Sequence, residues 1–414
     1  MSRSKSPAFA NLSQIMRDGY MDFHSRAANG AFVVWIAIIV PAEIFAGFDN
    51  VVYAVPESHA AMSAGKGVGG LQCEKAERLG YSMDLCSYAR IDMGTAFDNG
   101  KDSPTFGLGR PNLLVSDNNN CSLLVKWFDV YRREWNVPHL LLDVPFCYGP
   151  QKPVDTLYIV EQFKGLISEI ERLSGQDFDM EKVRRAMEYT AEGLAHWKRF
   201  LEFARHRPSG ITVFDSFVQM APFLTLRGTP QFAAHYKLLA DETRQRVEDG
   251  DFPVPNEKFR LLWDNIAPWH QLRAMSKRLA ELGANIVAAP YTSCFGSLEG
   301  GHGLYPYKKG DDPLTYLART QNNTVCPYGL ALREKAMGRA IEELAIDGVV
   351  FASNRSCKVF SLMQLDEKMA VEKKYGIPAV MIDVDHADVR KYSESAVFLR
   401  LEALLENIEA ARGC

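Results

Sequence analysis

The sequence predicts an α/β protein built from two parallel-sheet units. Short apolar runs are unbroken rather than alternating, which suits strands covered on both faces. Amphipathic helical stretches fall between those runs. A strand, turn, cysteine, helix, strand pattern also occurs twice along the chain.

The expected strands are "VVWIAIIV" (33–40), "NLLVS" (112–116), "HLLLDV" (139–144), "NIVAA" (285–289), "GVVFAS" (348–353) and "PAVMIDV" (378–384). The stretch 155–280 reads as helix-rich, with "PQFAAHYKLLADETRQRVEDG" closing on Gly250 as a helix stop. "RHRPSG" (205–210) and "GDFPVPNE" (250–257) are turn-rich breaks. We therefore divide the chain into an N-terminal arm or helix over 1–30, a first α/β unit over 31–205, a helix-rich connection over 206–280 and a second α/β unit over 281–414.

The repeated pattern reads "LLVSDNNNCSLLVKWFDVYRREWNVPHLLLDV" (113–144) and "VVFASNRSCKVFSLMQLDEKMAVEKKYGIPAVMIDV" (349–384). From Cys121 to Pro138 is 17 residues, and from Cys357 to Pro378 is 21. The excess is about one helical turn. Ligands gather beyond the carboxyl ends of parallel strands. A cysteine at the next helix start also feels the positive end of the helix dipole, which favours the metal-binding thiolate. Arg355 and Lys358 are expected to push the same way. Cys86, in "YSMDLCSYAR", sits in a polar and aromatic context unusual for a core thiol. Three converging thiolates would suit iron–sulfur or zinc chemistry.

Composition bounds the alternatives. The 414 residues allow two or three domains, and 47% hydrophobic content can bury sizeable cores. A net charge of −4 gives no global case for nucleic acid. "MSRSKSPAFA" lacks an apolar signal core, and the apolar stretch 31–48 is interrupted by Pro41 and Glu43, so neither a secretory address nor a spanning helix is expected. The expectation is a cytoplasmic protein. Its eight cysteines form no CxxC pair and no disulfide framework is expected. "GKGVGG" (65–70) fits GxGxxG formally, but helix-like sequence precedes it, so it reads as a glycine turn. No Walker loop is present, so ATP hydrolysis would belong to a partner.

"YSMDLCSYAR", "NNNCSLLVKWFDVYRREWNVPHLLLDVPF" and "NRSCKVFSLMQ" resemble the three cysteine motifs of the 2-hydroxyacyl-CoA dehydratase and benzoyl-CoA reductase family, and "VPESHAA" (55–61) resembles its N-terminal acidic motif. The resemblance spans about 33–405 and favours the larger subunit of a heterodimer. It implies two flavodoxin-like domains around a [4Fe-4S] cluster in the cleft between them, held by Cys86, Cys121 and Cys357 with one iron left open. It implies a smaller homologous subunit with its own cluster, and an ATP-dependent iron–sulfur activator that delivers one electron to an acyl-CoA thioester. The ketyl radical so formed expels a 2-hydroxyl, or, in the reductase branch, electrons enter an aromatic ring. Glu57 matches the acidic position and is expected to handle a proton or the leaving hydroxyl.

Where dehydratases of this family can carry a serine that contacts the substrate hydroxyl, this chain has Ile38, whose side chain cannot donate that bond. An apolar or aromatic acyl group suits it better. His302, Arg355 and Lys358 are further substrate-facing candidates, and Lys126, Arg90 and Arg355 could neutralise a cluster or CoA phosphates. Cys73, Cys147, Cys294 and Cys326 are extra thiols that a homodimeric double-cubane relative would need as ligands. Cys414 is terminal, and His386, at a strand end, is a weak candidate.

Overall fold

The computed structural model describes residues 6–294, 307–321 and 329–413. It contains two four-stranded, all-parallel sheets. The first is built from β1 (Phe32–Ile36), β2 (Val51–Ala54), β3 (Leu113–Asp117) and β4 (His139–Leu142), in the order β2-β1-β3-β4. The second is built from β5 (Phe259–Asp264), β6 (Ala284–Ala288), β7 (Gly348–Asn354) and β8 (Ala379–Val384), in the order β6-β5-β7-β8. Both follow one scheme, with the first and third strands central.

Those central strands are buried on both faces, as their unbroken apolar sequences require. In β1, Val34, Trp35 and Ile36 are buried, and so is every residue of β3 and β5. Each sheet organises its own hydrophobic core. Registers are set strand by strand: Trp35 pairs with Leu114, and Trp263 with Val350.

Two strands escape the sequence reading. β2 has only four residues. β5 falls inside 206–280, where helix was expected, because Arg260 and Asp264 interrupt its apolar run. Both charges are buried and paired, Arg260 with Glu257 and Asp264 with Arg333 at 3.2 Å. Elsewhere, β1 ends at Ile36 rather than at residue 40. The chain leaves it through a turn in which Val40 N–H donates to Ala37 O at 3.0 Å.

The helices that matter for the site are α1 (Pro7–Ala28), α2 (Pro56–Gly65), α3 (Gly69–Arg78), α4 (Ser87–Ala96) and α5 (Ser122–Trp135). α1 starts on Ser6, whose hydroxyl accepts from Phe9 N–H, with Pro7 in the first turn. α5 ends on Asn136 in the left-handed region (φ 51°), and the helix Gln364–Tyr375 ends likewise on Gly376 (φ 65°). The extra residues of the second repeat lie in its helix, which runs in two pieces, Lys358–Ser361 and Gln364–Tyr375. The "GKGVGG" stretch joins α2 to α3 with no strand before it. Gly69 is required there: a Cβ would sit 2.8 Å from the Ala387 carbonyl oxygen. No helix among the described residues is long and apolar enough to cross a membrane.

Candidate functional site

Each of the three motif cysteines occupies the cap position of a helix. Cys121 follows β3 and caps α5, and Cys357 follows β7 and caps Lys358–Ser361. Cys86 caps α4 after a turn. All three are partly buried. Cys86 and Cys121 pack against the first core, Cys357 against the second, so the thiols lie where the two cores meet.

Their neighbours join across that seam. Ser87 N–H donates to Ser356 Oγ at 3.2 Å, and the two hydroxyl oxygens are 3.1 Å apart. Cys86 and Cys357 are thereby held side by side from opposite halves. Burial drives the Cys86 thiol well above its ordinary pKa, and the nearby Cys357 and Cys121 add to the rise. Burial likewise raises Cys121, against the N–H groups of Leu124 and Leu123 at the start of α5. The helix-start argument for a thiolate is therefore outweighed by burial at both positions. Arg355 and Lys358 do not reverse it. Both side chains are exposed; Arg355 reaches Asp383 at 3.6 Å, and Lys358 Nζ donates to Arg355 O at 2.6 Å.

Arg90 is also not available to a ligand. It is fully buried, paired with Glu77 at 2.6 Å and with Asp388 at 2.9 Å. Lys126 is exposed on α5. Among the extra thiols, Cys73, Cys147 and Cys294 are buried in the cores. His302, Cys326 and Cys414 lie outside the described residues.

Glu57 and Ile38 come together. Glu57 stands in the first turn of α2, directly after Pro56, and is 5% exposed. Its Oε1 accepts the backbone N–H of Ile38 at 3.1 Å, while Oε2 is buried without a hydrogen-bond partner among the described residues. Burial pushes the carboxyl up to about 8, only partly opposed by the Ile38 N–H. The Ile38 N–H occupies Oε1, so a proton held by this carboxyl would sit on Oε2. Two residues on, His59 fixes α2 against α4 and the following loop, with Nδ1 2.9 Å from Asp92 and Nε2 3.0 Å from Ser103 Oγ.

Ile38 and Glu57 line a cavity of about 1410 Å³. Its inner wall is largely aromatic and apolar, including Tyr20, Tyr88, Phe217 and Tyr291. Tyr88 follows Cys86 by two residues, feels Cys86 and Cys357 electrostatically, and accepts a hydrogen bond from Trp269 Nε1. Arg17, Lys66, Arg273 and Lys277 also line the cavity and all are exposed, so its rim is cationic.

Residues 37–408 match the family model described as 2-hydroxyglutaryl-CoA dehydratase, D-component. The chain belongs to this family. Relatives within the dehydratase group include the (R)-phenyllactyl-CoA dehydratase alpha subunit of Clostridium sporogenes, 32% identical over 92% of this chain and 91% of that protein. The lactoyl-CoA dehydratase alpha subunit of Anaerotignum propionicum is 30% identical over 94% and 93%. On the reductase side, a benzoyl-CoA reductase subunit of Thauera aromatica is 31% identical over 89% and 87%. The named relatives are thus subunits of larger enzymes of both kinds.

In this dehydratase-family chain, His386, a weak candidate from the sequence, lies beside Cys86. The residue is fully buried, with Nε2 3.6 Å from Cys86 Sγ and 3.0 Å from Ser87 Oγ. Ser87, Ser356, Tyr88 and Trp269 escaped notice altogether. Ser87 and Ser356 each directly follow or precede a motif cysteine, which was the one available signal.

Proposed function

We propose that this chain is the larger, iron–sulfur-carrying subunit of a 2-hydroxyacyl-CoA dehydratase. Cys86, Cys121 and Cys357 would hold a [4Fe-4S] cluster in the seam between two flavodoxin-like units. The 2-1-3-4 strand order of each sheet supports that reading, with the second unit reaching back to β5. Among the described residues, no three Cys, His, Asp or Glu side chains are close enough to share a single metal ion. Three cysteine thiolates are a donor set of the kind that holds a [4Fe-4S] cluster. Their surroundings also suit it: the Cys86 thiol, raised by burial and by the nearby Cys357 and Cys121, ionises when a cationic metal centre neutralises it.

The observation that carries the proposal is the cavity. Glu57, Ile38 and Tyr88 line it, with Tyr88 two residues from Cys86 and Glu57 near enough to act electrostatically on Cys121, and four exposed cations line it as well. An acyl-CoA thioester has that polarity, with anionic phosphates, a long pantetheine arm and an apolar acyl end. When bound, the cluster would supply the thioester with a low-potential electron that is recovered at the end of the turnover. The protein's own residues then serve a redox-neutral elimination: hydroxide leaves C2, a proton leaves C3, and water is the sum. Glu57, protonated at Oε2, is the acid that meets the leaving hydroxyl. The aromatic wall excludes bulk water. A smaller homologous subunit with its own cluster and an ATP-dependent iron–sulfur activator complete the enzyme.

Ile38 favours a second reading, an aromatic acyl-CoA reductase, because its side chain offers a 2-hydroxyl no partner. The burial of Cys73, Cys147 and Cys294 speaks against a double-cubane protein. Anaerobic purification should yield brown protein with equal iron and acid-labile sulfide. With partner subunit, activator and ATP, it should dehydrate a 2-hydroxyacyl-CoA. Ring reduction of benzoyl-CoA instead selects the second reading, and a colourless, iron-free protein refutes both.

The rim gives a separate prediction. Reversing Arg273 and Lys277 to Glu should raise KM for the CoA ester by roughly tenfold at low salt, and less at high salt, with kcat little changed. A free acyl-pantetheine, lacking the nucleotide phosphates, should not register the change.

A further inference from the structure

His386 belongs to a buried polar chain that spans the two halves of the molecule. The Asp385 carboxylate accepts the backbone N–H groups of Ala387 at 3.1 Å and Asp388 at 2.9 Å, and the Ser356 hydroxyl at 2.6 Å. Ser356 Oγ accepts Ser87 N–H and lies 3.1 Å from Ser87 Oγ, which in turn lies 3.0 Å from His386 Nε2. The imidazole is fixed by its surroundings. The edge of Tyr88 packs on it with centroids 4.4 Å apart, and Trp269 N–H holds its backbone carbonyl at 3.1 Å.

The proton can be assigned from what each ring nitrogen meets. His386 Nδ1 is buried with no hydrogen-bond partner among the described residues. A buried lone pair left unmatched costs less than a buried N–H left unmatched. The proton therefore sits on Nε2, which faces Ser87 Oγ at 3.0 Å and Cys86 Sγ at 3.6 Å, so this one N–H is forked between the hydroxyl and the sulfur.

We infer that His386 is a positioning residue that presents its Nε2–H to the Cys86 sulfur and so tunes the redox potential of the group that sulfur holds. The inference rests on Cys86 being a cluster ligand, as proposed above. A donor to a ligand sulfur draws negative charge from it, favours the reduced state and raises the potential. The imidazole touches no substrate in this role. It works through Cys86, and the serine pair couples it to the position of Cys357.

Reconstituted full-length wild type, His386→Leu and His386→Gln, each assayed for iron, test it by EPR-monitored redox titration. Leucine should move the midpoint to lower potential at unchanged iron content. Glutamine, whose amide can still donate, should recover most of the shift. Pulsed EPR on reduced wild-type protein grown with ¹⁵N-histidine should detect a weakly coupled ring nitrogen, and this needs no variant to fold. Iron-loaded protein with no such coupling, or a leucine variant at the wild-type midpoint, overturns the inference and leaves the ligand assignment standing. Wild-type protein that binds no iron overturns both.

Discussion

Glu57→Gln should lose 10²- to 10⁴-fold in kcat, roughly what a positioned general acid contributes, and yet gain stability at alkaline pH. The two effects have one cause. Glutamine is close in shape and can still accept the Ile38 N–H at 3.1 Å. It has no proton to give to a leaving hydroxyl. The stability gain follows from the sign of the pKa shift. Burial raises the carboxyl from an ordinary 4.5 to about 8, so the folded state binds this proton more tightly than the unfolded chain does. Stability from this group is complete below 4.5, falls as pH rises towards 8, and stays low above it. Glutamine removes that loss. The gain should be on the order of a few kcal/mol at pH 8 and near zero at pH 4. Chemical denaturation at the two pH values checks it. Equal gains at both would mean that Glu57 is not buried as an acid.

Arg90→Met should destabilise the fold by about 3 kcal/mol, the lower end of the range for breaking a buried ion pair. Arg90 and Asp388 are both fully buried and 2.9 Å apart, and they come from opposite halves of the chain. Burial alone would raise the Asp388 carboxyl, but Arg390 and Arg90 outweigh it and hold it below its usual range. Arg390 remains 2.7 Å from Asp388 in the variant, which is why the loss stays at the lower end. The effect should survive high salt, because a dry pair is poorly screened. Adding Asp388→Leu should cost less in the Arg90→Met background than in the wild type, because one of the two cationic partners of Asp388 is already gone there while Arg390 remains. Urea midpoints for the four proteins of this cycle measure the coupling. A double variant that merely adds the two losses would dissociate Arg90 from Asp388 energetically.

The sequence carried the architecture wherever pattern and burial agree. β3 and β7 are unbroken apolar runs, and both are central strands. β5 was illegible because a single sequence cannot reveal that Arg260 and Asp264 are buried with partners, Glu257 three residues away and Arg333 69 residues away. The caps at Cys121 and Cys357 were legible from the repeated motif, and Cys86 stood out only by its polar and aromatic surroundings. The direction of the pKa shifts at Cys86 and Cys121 was not, since the dipole argument is local and burial is tertiary. The Glu57–Ile38 contact could not be read either. Nothing in the spacing of 38 and 57 says that a backbone N–H will meet a carboxylate.

Ser87 and Ser356 touch although 269 residues separate them along the chain. A ribosome releasing this protein exposes two of the motif thiols long before the third exists. Such distant pairings form late, after the entropy of closing a long loop has been overcome. On the proposed ligand set, the cluster can be captured only by a finished molecule, so its capture would double as proof of correct assembly, and a truncated or half-folded chain would be barred from carrying it.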